Sequence, residues 1–177
     1  LQVNQIYKAY GANILLDDAT ASFSSDQKIG MIGRNGAGKS TLCRIITGFE
    51  TADSGTISRN SELQLSYLEQ HDTFKPKETV IDFLMRTTGA EQWQCAQTAA
   101  RFQIKNDALN YPVQDLPGGY QTRMKLAVML LGEPNFLVLD EPSNYLDLST
   151  LILLENFLLD FRGGYLVVSH DREFLKR

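Results

Sequence analysis

Short apolar runs with distinct periods mark out the elements of this chain. Leu1-Gln2-Val3-Asn4-Gln5-Ile6-Tyr7 and the segment from Leu16 to Phe23 alternate apolar and polar positions, which predicts two half-buried strands. Ile29-Gly30-Met31-Ile32 is an unbroken apolar run and reads as a buried strand. Leu42-Cys43-Arg44-Ile45-Ile46 behind it reads as a helix. Asp53-Ser54-Gly55 is expected to turn, and Thr56-Ile57 and Leu63 to Leu68 resume strand character. Helical composition then takes over, with candidate helices at 78–87 and 91–104. Trp93 and Phe102 are read there as packing residues and His71 as a solvated loop residue. A longer helix is predicted from Tyr120 to Leu131, closed by Gly132 and Pro134. Phe136-Leu137-Val138-Leu139 is apolar at every position, as in a central parallel strand covered on both faces. Ser149 to Phe161 reads as an amphipathic helix with Leu151, Leu154, Phe157, Leu158 and Phe161 on one face. Tyr165-Leu166-Val167-Val168 is another buried strand.

Chemistry enters between the third and fourth of these runs. Gly33-Arg34-Asn35-Gly36-Ala37-Gly38-Lys39-Ser40-Thr41 fits G-x-x-x-x-G-K-[ST] in the strand–loop–helix setting that this phosphate-binding loop requires. Its glycines let the backbone approach a ligand closely. Its N–H groups converge at a helix N-terminus that carries partial positive charge. Lys39 adds a full charge beside the β- and γ-phosphates, and the Ser40 hydroxyl is placed to ligate Mg²⁺.

Further candidates lie at strand and helix ends. Asp140 and Glu141 close the apolar strand at its C-terminal end, where ligands bind in open α/β sheets. Asp140 is suited to orienting a Mg²⁺ shell, and Glu141 to accepting a proton from an attacking water or orienting it. His170 ends the last strand in the same way and is read as a γ-phosphate contact. Gly118-Gly119 opens a second helix N-terminus able to face phosphate. Tyr10, beside Gly11, is either a base-stacking aromatic or an ordinary strand-end tyrosine.

Composition sets the class. The chain has 177 residues, 43% hydrophobic and 21% charged, enough for one buried core in an ordinary globular domain. No apolar run approaches bilayer-crossing length, and no signal peptide opens the chain. A net charge of −4 argues against this piece alone wrapping nucleic acid. Cys43 and Cys95 give neither a disulfide framework nor metal-ligand spacing and are expected to be reduced thiols in the cytoplasm. With a start at Leu1 and a charged end from Asp171 to Arg177, the chain is expected to be a piece excised from a longer protein.

The phosphate loop, Gln70, Leu116-Pro117-Gly118-Gly119-Tyr120-Gln121, Asp140-Glu141 and His170 follow one another in the order of the ATP-binding-cassette ATPases, which the chain resembles over essentially its whole length. The resemblance implies an α/β fold: a P-loop core at about 29–72 and 132–177, an antiparallel β part at about 1–28, and a helical subdomain at about 75–131. It implies ATP and Mg²⁺ as ligands. Gly33 to Thr41 is similar to Walker A, and Tyr10 to the adenine-stacking aromatic. Gln70 is similar to the glutamine that ligates Mg²⁺ and senses the γ-phosphate. Asp140 and Glu141 resemble the Walker B pair, and His170 the switch histidine. Leu116 to Gln121 resembles the signature that meets the ATP of a partner cassette.

Within that family the details resemble the ABC-F branch. Asp140-Glu141-Pro142-Ser143-Asn144-Tyr145-Leu146-Asp147 is similar to its D-E-P-T-N-H-L-D. Gly118 to Arg123 resembles its signature followed by Arg, and Ser169-His170-Asp171-Arg172-Glu173-Phe174-Leu175 its S-H-D-R-x-F-L. The branch implies two tandem cassettes without a membrane domain, acting on the ribosome or in translation-linked quality control. Any rRNA contact would come through regions outside this piece. The partner is a second cassette, in the same chain or in a homodimer, and one cassette alone is expected to hydrolyse ATP slowly. An ATPase subunit of a membrane transporter and a weakly hydrolytic regulatory module are the alternatives. Pro117 stands where the family has Ser, and Tyr145 where the branch has His. Only residues 71–115 separate Gln70 from Leu116, which fits a second cassette, an armless first cassette or one with the arm removed.

Overall fold

The computed structural model describes residues 1–68, 74–144, 146–170 and 174–175. They divide into two units, Leu1–Tyr67 with Pro134–Pro142 and the segment from Arg162, and Leu68–Glu133 with Ser143–Phe161.

The first unit opens on a hairpin of β1 (Gln2–Tyr10) and β2 (Asn13–Ser22), which runs three residues beyond the expected end of the first strand. Register shifts in this pair coincide with left-handed backbone at Gln5 and Asp18. β3 (Lys28–Met31) leads through the glycine loop into α1 (Lys39–Thr47). β4 (Ser54–Ser58) then pairs antiparallel with β1, giving a sheet of order β2-β1-β4. The turn expected at Asp53-Ser54-Gly55 is therefore corrected. Ser54 and Gly55 already belong to β4, while the Asp53 carboxylate accepts from the N–H of Ala9 at 2.9 Å and Lys8 Nζ at 3.0 Å. Gly55 is the residue that makes this pairing possible. Its φ is 93°, and a Cβ there would lie 2.4 Å from the carbonyl oxygen of Gln5.

The other sheet has the order β3-β7-β6-β5, built with β5 (Leu65–Leu68), β6 (Phe136–Asp140) and β7 (Gly164–Val168). β3, β7 and β6 run parallel, with Ile29 opposite Leu166 and Leu166 opposite Val138. All five residues of β6 are buried, as a strand covered on both faces requires. Val3 and Ile6 of β1, Leu42, Cys43, Ile45 and Ile46 of α1, and Phe136, Val138, Leu166 and Val168 form one core. Each large aliphatic side chain removed from water in it contributes roughly 1.5–3 kcal/mol.

The second unit is helical: α2 (Val80–Thr88), α3 (Gln92–Arg101), α4 (Gly118–Leu131) and α5 (Leu148–Asp160). Short polar side chains start three of them. Thr79 accepts from the N–H of Asp82, Glu91 and Gln94 form a capping box, and Asp147 accepts from the N–H of Thr150. Phe102 is buried and meets Phe157 edge-on at 5.5 Å between centroids, as a packing residue should. Trp93 corrects the reading of it as a packing residue, because it is 65% exposed. On α5 the buried stripe runs through Thr150, Leu153, Leu154 and Leu158, so Leu153 displaces Leu151 from the expected face.

Candidate functional site

The glycine loop gets its shape from two left-handed residues, Gly36 at φ 78° and Gly38 at φ 84°. Gly38 is also the N-cap of α1, and a Cβ there would lie 2.9 Å from the carbonyl oxygen of Leu15. Backbone conformation and close approach both demand glycine at that point. No side-chain hydrogen bond caps α1 among the described residues, so the backbone N–H groups of its first turn are left for a ligand. Lys39 Nζ donates to the carbonyls of Gly33 at 2.9 Å and Arg34 at 3.1 Å, which holds its charge against the loop.

Ser40, next along α1, donates to the Asp140 carboxylate at the end of β6. Asp140 is buried, and burial pushes its carboxyl above the ordinary value. The Ser40 hydrogen bond opposes that shift, the neighbouring Glu141 adds to it, and Arg44 and Lys39 oppose it. Its Oδ1 atom is buried, with no hydrogen-bond partner among the described residues. An orphaned carboxylate oxygen beside a serine hydroxyl fits a hard divalent cation. Mg²⁺ takes one or two oxygens from the protein and the remainder from phosphate and water. Among the described residues no group of three or more His, Cys, Asp or Glu could hold a metal.

Glu141 follows in a left-handed conformation, φ 48°, an uncommon backbone for a residue with a side chain. Its own N–H is tied to the carbonyl of Val168 at 2.8 Å. The carboxylate turns toward β7, where Oε2 accepts from His170 Nδ1 at 2.8 Å and from the His170 N–H at 3.3 Å. Glu141 is thereby gripped by the neighbouring parallel strand, while the imidazole stays 59% exposed.

Tyr10 stands at the end of β1, about half exposed. Its hydroxyl donates to the Glu50 carboxylate and accepts from the Thr41 hydroxyl, and Lys8 Nζ lies 5.3 Å from its ring centroid. The ring is thus tied to the phosphate-loop helix through Thr41. Glu50 and Thr41 give no sequence signal for this role, since neither is near Tyr10 in the chain. Cys43, on the buried face of α1, has its thiol pushed up to about 12, by burial first and by Asp140 second.

In the second unit, Pro117 is exposed and forms the N-cap of α4 without a side-chain cap. Gly118 and Gly119 begin that helix, and the Gln121 side chain lies on the Leu116 carbonyl at 3.5 Å. Arg123, which is buried, and Asp147, which is exposed, quoted above only as motif members, form a contact set beside Gly119 that spacing does not reveal. Gln70, His71 and Tyr145 lie outside the described residues.

A glycine loop between β3 and α1, with acidic residues at the end of β6 in the same parallel sheet, defines a P-loop nucleotide-binding domain with an antiparallel sheet and a helical unit. The model of the family described as ABC transporter matches residues 16–144, and the chain belongs to that ATP-binding-cassette family. It is 39% identical over 183 residues to the energy-dependent translational throttle protein EttA of Escherichia coli (strain K12), covering 100% of this chain and 33% of that protein. It is 34% identical over 184 residues to the ATP-binding protein Uup of Caulobacter vibrioides, covering 100% of this chain and 30% of that one. EttA and Uup are ABC-F proteins. The chain spans about a third of the length of the curated relatives it matches. Among solved structures it is similar to the bacterial ABC transporter cassette MJ0796 in dimeric form, with a TM-score of 0.84 at 18% identity over 99% of this chain and 90% of that one. A post-hydrolysis dimer of the same cassette bound to ADP and Pi gives 0.81 at 19% identity, over the same shares of the two chains. These structural likenesses show the fold.

Proposed function

We propose that this chain is one ATP-hydrolysing cassette of an ABC-F-type protein that acts on the ribosome in the cytoplasm through ATP-driven closure of two cassettes. The observation that carries the catalytic part is the pair of carboxylates at the end of β6. Asp140 turns to Ser40 and Glu141 to His170, so the two acids serve different partners.

Gly33 to Thr41 cradles the phosphates with backbone N–H groups, and Lys39 exchanges its loop carbonyls for β- and γ-phosphate oxygens. Tyr10 stacks on the adenine. Ser40 and Asp140, together with Gln70, hold Mg²⁺, which neutralises charge on the phosphates when bound. Glu141 engages the attacking water, and His170 orients Glu141 and reaches the γ-phosphate. Leu116 to Gln121 serves the nucleotide of the partner cassette.

The translational task is supported by the likeness to EttA, named as an energy-dependent translational throttle. Among the described residues no helix is long and apolar enough to cross a membrane. Steady-state ATPase assays of this chain with and without its partner cassette test the enzymatic reading, with slow turnover expected for the chain alone. Co-sedimentation of the longer protein with ribosomes in the presence of ATP tests the task. Recovery in the membrane fraction in place of ribosomes would overturn it and favour a transporter ATPase.

A further inference from the structure

The first turns of α4 and α5 are joined by a charged set that the reading above does not use. Arg123 is buried, and its Nε donates to Thr150 Oγ1 at 2.9 Å and its Nη2 to Ser149 Oγ at 2.6 Å. The guanidinium also lies over the Tyr120 ring at 5.5 Å and 3.8 Å from Asp147 Oδ1. The Asp147 carboxylate accepts from the Ser149 hydroxyl, and from the N–H and hydroxyl of Thr150, each at 2.9 Å. It also backs directly onto the signature. A Cβ on Gly119 would lie 2.4 Å from Asp147 Oδ2 and 3.1 Å from Thr150 Oγ1, so any side chain there would push the carboxylate aside.

A full negative charge therefore stands against Gly119 in the first turn of α4. Left uncompensated, it would repel any phosphate brought to that helix N-terminus and compete for its partial positive charge. We propose that Arg123 is a positioning residue for the signature: it is the counter-charge that keeps Asp147 from opposing phosphate at Gly119, while its fork fixes α4 to the start of α5. Arginine suits both tasks, since its charge is permanent and its planar donors bind two acceptors at once. The proposal rests on the reading that residues 116–121 meet the partner cassette's ATP.

The test compares Mg–ATP-driven association of the two cassettes in the full-length protein, in a Glu141→Gln background that slows turnover. Arg123→Gln retains length and hydrogen-bonding groups but removes the charge. It should weaken association about tenfold, equivalent to about 1.4 kcal/mol. Asp147→Asn retains a good N-cap residue and removes the repulsion, so adding it to Arg123→Gln should restore most of the loss. Raising salt to about 0.5 M should narrow the gap between Arg123→Gln and its parent, because exposed charge is screened. Association that ignores Arg123→Gln overturns the proposal, as does a loss that neither Asp147→Asn nor salt relieves, which would reduce Arg123 to packing. If Arg123→Gln does not fold, Asp147→Asn beside the native Arg123 decides, since it must leave association intact or tighter. Failure of the Glu141→Gln parent itself to associate on adding Mg–ATP overturns the two-cassette reading, a result distinct from indifference to Arg123.

Discussion

His170 Nδ1 lies 2.8 Å from Glu141 Oε2, and the backbone N–H of His170 reaches the same oxygen at 3.3 Å. Two donors from one residue fix a carboxylate whose backbone is itself held in a left-handed conformation. Such over-determined geometry belongs to a group that must point one way. Glu141→Gln should preserve ATP binding and reduce turnover by roughly 10²–10⁴-fold, the range for a lost general base. His170→Ala should lower turnover less. Nucleotide binding by fluorescence and phosphate release, measured on the same samples, separate the two effects, and equal loss of binding and turnover in Glu141→Gln would contradict the assigned role.

Lys39 bridges the Gly33 and Arg34 carbonyls with one ammonium group. Lys39→Ala removes the charge on which the phosphates depend. A hydrogen bond to a charged group contributes roughly 1.5–3 kcal/mol, so nucleotide affinity should fall by about ten- to a hundredfold. The melting temperature without nucleotide should change little, because both carbonyls are on a solvent-accessible loop. Unchanged affinity by titration calorimetry would remove Lys39 from the site.

Asp140 carries the opposite kind of cost. Its carboxyl is raised by burial, so the ionised form is penalised in the fold. A carboxyl with a raised native pKa contributes stability that is fully present below its unfolded value, ordinarily 3.8, and is lost as pH rises through the native value. Asp140→Asn removes that penalty and should stabilise the metal-free protein at neutral pH by about 1–3 kcal/mol. That corresponds to a few degrees in melting temperature at this chain length. The same variant should lose the additional stabilisation given by Mg²⁺ with ATP. Thermal melts with and without Mg–ATP check both signs.

Glu78 behaves in the reverse sense. It is buried at the start of α2, where Arg86 Nε and Nη2 reach its two oxygens at 2.5 and 3.0 Å and the N–H of Lys75 adds a third bond at 3.1 Å. Arg86 first, and the Lys75 N–H against the effect of burial, hold its carboxyl below the ordinary 4.5. Stability from this group is present above its unfolded pKa and is lost as pH falls through the lower native value. Acidification below about pH 4.5 should therefore destabilise the chain. Glu78→Gln should cost about 1 kcal/mol at neutral pH, a figure discounted for the part-exposed Arg86, and should flatten the acid limb. Urea midpoints across pH 3–7 are the measurement, and parallel curves for the two proteins would exclude Glu78.

Pro117 caps α4 with a backbone of φ −55° and ψ 149°, which serine adopts without strain. Pro117→Ser adds an acceptor for the free N–H groups of the first turn and should raise stability by about 0.5–2 kcal/mol. It also supplies a hydroxyl for a charged oxygen of the partner's nucleotide, so ATP-driven association of the two cassettes should tighten. A rise in melting temperature without tighter association would show that the serine acts only as a cap.

What the sequence determined is what short stretches of chain decide by themselves. The four apolar residues of β6, the glycines of the phosphate loop, the Gly132 stop and the capping aspartate at 147 all act on backbone within a few residues, through sterics, local hydrogen bonds and periodicity. Those signals place Lys39, Ser40, Asp140, Glu141 and His170 at element ends before any folding is considered. The tertiary structure alone decided who meets whom. Ser40 reaches Asp140 across a hundred residues, Glu141 finds His170 because β6 and β7 lie side by side, and Thr41 and Glu50 take the Tyr10 hydroxyl. It also decided that Trp93 faces water, that Leu153 replaces Leu151 in the α5 core, and that Gly55 lies in a strand. A helix's period tells which side chains share a face, but the rotation of that face toward the core is set by the partners packed against it. A charge such as Arg123 acquires its role only when folding brings Asp147 to Gly119, because electrostatic and hydrogen-bonded contacts act over a few ångströms of space, whatever the separation along the chain.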